Sequence, residues 1–454
     1  MLIHHYNFIM KKNIYVFISI LLFLCCSEME TKWTRKFDAA GPGNYRINSI
    51  YSSETSIYVT GTHWTDDKGP FCITAKYDAE GELEWYKIYE QQYLKAAHGK
   101  SILVTKEHAL NTVPNIYVLC QVNDIHGVNK VVLIKYDSLG TIQWDKVIEE
   151  STDEITSKIL SDYQGNIFIA GWSTNPRDSI NIFIAKYEPS GELAWFTKYY
   201  NPSLVFSDLK FDIRKGDQIL IGGALEKTQD FFFMRYGNLG NFLSLTRYES
   251  PEQENILADI KMGVDGSVYL TGTSFSNESN NDYLTVTYDK DNNVLWVKRF
   301  DSVRLDDVPK AVAVDESSNV YITGSSENEP GNTSILTIKY DRDGNELWTS
   351  TFKDKKNESA EPYLLYPGFL YYGRKTVVRT FFITGTAGND VLIVKHNTNG
   401  FYSWSTRYQD KGRICKPTAF SKDCVAIESS LQGKSEAVIL KYGKAEQFGI
   451  ARWD

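Results

Sequence analysis

A short phrase, lysine-tyrosine-aspartate followed by a glycine turn and a tryptophan, recurs along almost the whole chain and limits what it can fold into. It runs from Lys76-Tyr77-Asp78 through Gly81 to Trp85, then from Lys135-Tyr136-Asp137 through Gly140 to Trp144, then from Lys186-Tyr187-Glu188 through Gly191 to Trp195. Arg235-Tyr236 with Gly240 is a weaker copy in which Ser244 replaces the tryptophan. Tyr288-Asp289 leads to Trp296, Lys339-Tyr340-Asp341 to Trp348, and Lys395-His396 to Trp404. An eighth copy, Lys441-Tyr442-Gly443, stops before its tryptophan. The tyrosine position returns every 46 to 59 residues, mostly near 52. A period in this range means a propeller, a solenoid or an array.

A second phrase lies upstream of each copy: Tyr58-Val59-Thr60-Gly61, Phe168-Ile169-Ala170-Gly171, Tyr269-Leu270-Thr271-Gly272, Tyr321-Ile322-Thr323-Gly324 and Phe382-Ile383-Thr384-Gly385. It is degenerate at Tyr117–Cys120 and Ile219–Gly222 and hardly recognisable near Val425. Each repeat resolves into four runs rich in β-branched and aromatic residues, in the first repeat near Arg46–Tyr51, Ser56–Gly61, Phe71–Tyr77 and Leu83–Tyr89. Asn, Asp, Ser and Gly clusters separate the runs, as expected of strands joined by tight turns. No stretch keeps a helical period. Four-stranded units repeating around a ring describe a β-propeller, and the unbroken apolar run Phe231-Phe232-Phe233-Met234 fits a sheet buried on both faces.

The chain ends check this reading. The last repeat lacks its tryptophan strand, whereas an orphan one, Trp33-Thr34-Arg35-Lys36-Phe37, stands near the beginning. Pairing it with Ala437–Tyr442 closes the ring and removes two exposed sheet edges. The fold class expected is all-β, a single propeller of eight four-stranded blades. In its Tyr-Val-Thr-Gly, Lys-Tyr-Asp and Gly-x-x-x-Trp phrases the chain resembles the bacterial β-propeller repeat family labelled SBBP, essentially over residues 33–443. That resemblance implies the fold and carries no catalytic residue over. The sequence departs from the pattern at Cys120, Ser244 and His396 and through Asp354–Thr380.

Ahead of the repeats, Lys11-Lys12 precedes the apolar stretch Ile14–Leu24 and then Cys25-Cys26-Ser27-Glu28. The stretch is short for a membrane span and has the layout of an export signal. A cysteine directly after such a core looks like a lipoprotein signal. A small residue is wanted before the modified cysteine, which favours Cys26 over Cys25. An ordinary secretory signal or a membrane anchor is the alternative. These boundaries divide the chain into a signal over 1–26, a linker over 27–32, the propeller over 33–443 and a tail over 444–454. The expected location is the bacterial outer membrane or cell surface, with a periplasmic or secreted protein as the alternative.

Composition removes some functions. A net charge of −8 without a basic run leaves no electrostatic footprint for nucleic acid. The cysteines show no zinc spacing and are expected as free thiols packed in strands, with a Cys415–Cys424 disulfide as the alternative if a hairpin holds the two opposite one another. Asp341-Arg342-Asp343-Gly344-Asn345-Glu346 loosely resembles the opening of a calcium loop but lacks the glutamate at its twelfth position. No nucleophile elbow, H-E-x-x-H or phosphate-binding loop occurs, and the histidines are scattered over different repeats. No catalytic residue, metal ligand or cofactor is therefore assigned.

The recurring aromatics belong to packing, because one ligand seldom needs eight equivalent contacts. Recognition falls instead to aromatics that do not repeat: Trp64 and Trp172, just after the second phrase in repeats one and three, and Tyr366 and Tyr371 in a cluster with Tyr363, Phe369 and Tyr372. The function expected is a monomeric, non-enzymatic, lipid-anchored module that binds an envelope protein or a glycan or serves as a scaffold. A propeller carbohydrate hydrolase or lyase is the alternative, and carboxylates converging on the central channel would favour it.

Overall fold

In the computed structural model, the structure describes residues 29–444 apart from 107–113, 149–153, 175–179, 202–204, 207, 215–217, 250–254, 278–279, 304, 355, 357 and 373–374. The described residues contain strands and turns and no helix. The strands form eight four-stranded antiparallel sheets. In blade 1 these are β2 (Asn44–Ser52), β3 (Ser56–Trp64), β4 (Phe71–Asp78) and β5 (Leu83–Tyr89), hydrogen-bonded in chain order. The first strands of successive blades touch one another all the way round, blade 8 against blade 1 included, so they line the central channel. The tryptophan strands form the rim.

Ring closure is as expected. Strand β1 (Met29–Phe37) pairs antiparallel with Lys434–Lys444, with Phe37 opposite Ala437 and Met29 opposite Lys444. The strand begins ahead of Trp33, so residues 29–32, expected as linker, lie in the sheet. Strand direction then defines two faces. The upper face carries the turns between second and third strands and the connections from blade to blade. The lower face carries the remaining turns, and both Met29 and Lys444 lie at it.

The residues of the repeated phrases hold one blade to the next or shape the strands and turns that do so. Five rim indoles donate from Nε1 to a turn carbonyl of the following blade: Trp33 to Ala79, Trp85 to Ser138, Trp195 to Asn238, Trp296 to Arg342 and Trp348 to Thr398, all at 2.9–3.1 Å. The turn glycine of that blade lies on the indole, and a Cβ on Gly81 would stand 2.8 Å from Trp33. Lys135 and Lys441 reach the same turns, bonding the carbonyls of Pro189 and Ala79 at 2.9 and 3.1 Å. The phrase aspartate closes its own turn: Asp78 Oδ1 accepts the N–H groups of Glu80 and Glu82. In the second phrase Thr60 Oγ1 donates to the Ile73 carbonyl at 3.1 Å, and Thr323 does the same to Leu336 at 3.2 Å.

The departures compensate locally. Where Ser244 replaces the rim tryptophan, Asn292 replaces the facing glycine. Its side chain fills the space, donating to Ser244 Oγ at 3.0 Å and accepting from Arg235 Nε at 2.7 Å. The stretch Asp354–Thr380 is largely a long hairpin, Ala360–Tyr372 with Lys375–Ala387. Cys415 pairs with Ser429 and Cys424 with Ser421, at opposite ends of one hairpin. The hairpin therefore does not set them opposite one another as a disulfide requires, and both are free and buried.

His396 occupies a phrase-tyrosine position and is 1% exposed. Burial lowers its pKa to about 4, against a smaller opposing contribution from the Gly400 backbone. A base whose folded pKa is depressed contributes stability that is complete above about 6.5 and is lost as pH falls towards 4. This single group accounts for about 3 kcal/mol across that window. His396→Tyr restores the repeat residue and should flatten urea-denaturation stability between pH 6.5 and 4. An unchanged pH slope would remove His396 as its source.

Candidate functional site: a cleft between blades 1 and 2

Around the channel, a side chain of one blade accepts a backbone N–H of the next. Ser49 Oγ accepts from Ile102, Ser101 Oγ from Ile159, Asp212 Oδ2 from Met262 and Asp259 Oδ2 from Val312, at 2.9–3.2 Å. Asp212 and Asp259 face Lys158 and Lys261, with Lys261 Nζ 3.3 Å from Asp259. Burial raises the Asp212 carboxyl above its usual range. Burial acts likewise on Asp259, but the Lys261 and Lys158 ammonium groups outweigh it and hold that carboxyl low. Carboxylates do converge here. Asp259 nonetheless stands at the strand position held by Ser49 and Ser101, opposite the second-phrase threonine or its equivalent, and does the same work.

The upper face holds an open cleft of about 470 Å³ between blades 1 and 2. Trp64 and Thr65 line it from the end of β3, Arg46 and Asn48 from β2, and His98 and Lys100 from the first strand of blade 2, Leu94–Lys106. A second hollow of about 250 Å³ shares His98 and Lys100 and continues towards Asn123 and Asn129. Register explains why Asn48 and Lys100 meet. Each first strand bulges by one residue, between Ile47 and Ser49 in blade 1 and between Gly99 and Ser101 in blade 2. The extra residues are Asn48 and Lys100, and Asn48 Nδ2 donates to the Gly99 carbonyl at 2.7 Å. A bulge re-aims the side chain it carries.

His98 Nδ1 is hydrogen-bonded to Thr62 Oγ1 at 3.3 Å, and burial together with the Lys100 charge lowers its pKa. The imidazole is therefore neutral near pH 7. Arg46 approaches Glu428 at 3.6 Å and remains 55% exposed. Among the described residues Trp64 has no hydrogen-bonded or aromatic partner, unlike the rim tryptophans. The combination is an aromatic surface, amide and hydroxyl groups and two cations around an open space.

Comparison with known proteins gives the repeat its label. The SBBP β-propeller repeat model matches residues 296–332, from the rim strand of blade 5 to the second turn of blade 6. The chain carries an SBBP repeat. No curated protein sequence matches it. Similar solved structures include a lectin from Burkholderia pseudomallei, 8% identical over 81% of this chain and 99% of that one, TM-score 0.47. A lignostilbene dioxygenase from Pseudomonas brassicacearum is 8% identical over 84% of this chain and 95% of that one, TM-score 0.47. The WD40 domain of SCAP from fission yeast is 11% identical over 90% and 98%, TM-score 0.45.

The aromatics outside the SBBP phrases go to different places. Trp64 enters the cleft. Trp172 is 9% exposed, edge-on to Phe206 at 5.7 Å within a core cluster of blades 3 and 4. Tyr366 packs edge-on against Phe420 at 5.3 Å. Tyr371 pairs with Thr376 in the long hairpin, and its side chain lies outside the described residues. Cys25 and Cys26 also lie outside them. The Asp341 carboxylate accepts from Asp343 and Asn345 inside its own turn, which accounts for the resemblance to a calcium loop.

Arg46, Asn48, His98 and Lys100 were not singled out by the sequence. An alignment of the first strands would have shown Asn48 and Lys100 at one position, each just before Ser49 or Ser101. Nothing in the sequence marks that position as a bulge.

Proposed function

We propose that the protein is a lipid-anchored, glycan-binding propeller of the bacterial cell envelope, acting through the cleft between blades 1 and 2. The observation that carries this reading is Trp64, an indole without an internal partner, set beside Asn48, Thr62, His98 and Lys100 in an open hollow. Sugars bind where an apolar ring face can lie on an aromatic and hydroxyls can reach amides and charged groups. Strand direction suits an anchor as well. Met29 lies on the lower face, so a lipid on Cys26 would tether the disc from below and leave the cleft facing outwards.

The enzyme alternative draws on Asp212 and Asp259. Their engagement with Met262 and Val312 N–H groups supports a role as inter-blade ties.

Trp64→Ala should weaken glycan binding at least about ten-fold while changing stability by no more than about 0.5 kcal/mol. Trp348→Ala, at the rim, should do the reverse, costing about 2–4 kcal/mol and sparing affinity. Calorimetric titration and urea melts separate the two, and equal affinity in Trp64→Ala and the parent would sink the cleft. For the anchor, Cys26→Ala should move the protein out of the membrane fraction. Continued sedimentation with membranes would exclude Cys26 as the lipid site.

A further inference from the structure

The cleft differs in charge from the opposite side of the upper face. Its lining includes Arg46 and Lys100 and no carboxylate, and the adjoining hollow has none either, in a chain whose net charge is −8. Across the ring the same face is acidic. Asp282, Asp301 and Asp307 cluster there, and Glu329, Asp354 and Glu358 line a small hollow nearby together with Lys353. Three of those acids have internal cations: Arg299 bonds Asp282 at 2.6 Å, and Arg407 bridges Asp354 and Glu358 together with Asp390.

Lys100 differs from two other buried or half-buried lysines of the ring. Lys261 is held by Asp259 and Lys186 by Asp162, at 3.3 and 3.4 Å. Lys100 forms no ion pair among the described residues, although the bulge points it into the cleft beside His98. An ammonium without an internal carboxylate, at the mouth of an open cleft, is available to an anionic group on a ligand. Arg46, on the opposite strand of the same hollow, has only the 3.6 Å approach to Glu428 and enough exposure to turn inwards. With His98 neutral, these are the two formal charges of the site.

From this we infer that the ligand is an acidic saccharide, with a sugar ring on Trp64 and a ring carboxylate taken by Lys100 and Arg46. The inference rests on the glycan-binding reading and narrows it to uronate- or sialate-type sugars. A free small anion would satisfy Lys100 but would leave Trp64 without a role, so the test separates it from a sugar.

The experiment is calorimetric titration of the full chain with oligogalacturonate, oligoglucuronate and a sialylated oligosaccharide. Each is run beside its carboxyl-reduced neutral counterpart, with acetate as the small-anion control. The expected result is that at least one acidic oligosaccharide binds ten-fold or more tightly than its reduced counterpart, with acetate silent. Lys100→Gln should remove that ten-fold preference, and Lys100→Arg should retain it. Affinity for the acidic sugar should also fall between 50 and 500 mM salt, by roughly ten-fold. Equal binding of acidic and reduced sugars, unaffected by Lys100→Gln, overturns the acidic assignment and leaves glycan binding standing. Acetate competing as well as the oligosaccharide overturns it in favour of a simple anion site. No binding of any sugar, in a protein with an intact melting transition, overturns the glycan reading itself.

Discussion

Deleting residues 29–37 should lower the melting temperature by about 5 °C or more, or abolish the cooperative transition outright. Phe37 is fully buried in a cluster that joins Tyr45, Ile47 and Ile57 of blade 1 to Ala426 and Ile439 of blade 8. Losing a buried phenylalanine alone costs about 3–5 kcal/mol. The deletion also removes the Trp33 bond to Ala79 and the Lys36–Glu436 ion pair, and it exposes the whole edge of Lys434–Lys444. An open edge of that length invites pairing with another chain, so aggregation should accompany the loss. A synthetic peptide of residues 29–37 added to the truncated protein should restore part of the transition, because the vacated edge is its template. A melting temperature within 2 °C of the parent, against the roughly 5 °C expected, would mean that closure contributes little to stability.

Gly385→Ala should cost about 3 kcal/mol or more in a urea melt, although it adds one methyl group to a strand. A Cβ there would lie 2.0 Å from the Glu361 carbonyl oxygen and 2.8 Å from the Pro362 Cα. The obstruction is backbone, so no rotamer change relieves it. It arises from the first-strand bulge, which here falls between Pro362 and Leu364. Gly61, Gly272 and Gly324 face the same obstruction, at 1.9, 2.2 and 2.2 Å from a first-strand carbonyl. Blades 2 and 8 carry Cys120 and Ile427 at this position, so there the first strand must stand further off. A cost below about 0.5 kcal/mol would show that blade 7 can adopt that relaxed bulge freely.

The architecture was legible because the repeated residues are the ones that join blades. In most blades the lysine and tryptophan of a phrase reach the next blade's turn, and the glycine and aspartate of that turn shape it to receive them, so the period reported fold and blade number together. The replacement of both Trp and Gly at Ser244 and Asn292 follows the same rule, since the two positions share one space.

Site residues were harder to read for the complementary reason. Trp64 stood out because it is an aromatic outside the phrases. Trp172 stood out equally, yet it packs into the core against Phe206. Two tryptophans after equivalent strands met different neighbours in the adjoining blade, and composition does not encode that difference.

The sequence period and the orphan strand at Trp33–Phe37 were sufficient for an all-β ring of eight blades, because each blade can bury its sheet only against the next. Tertiary structure alone decided that Arg46, Asn48, Trp64, His98 and Lys100 line one cleft. Their adjacency depends on a one-residue bulge in two first strands and on how two blades stack. Both are properties of backbone geometry across a blade junction, where residues about fifty positions apart in the chain come within reach of one ligand.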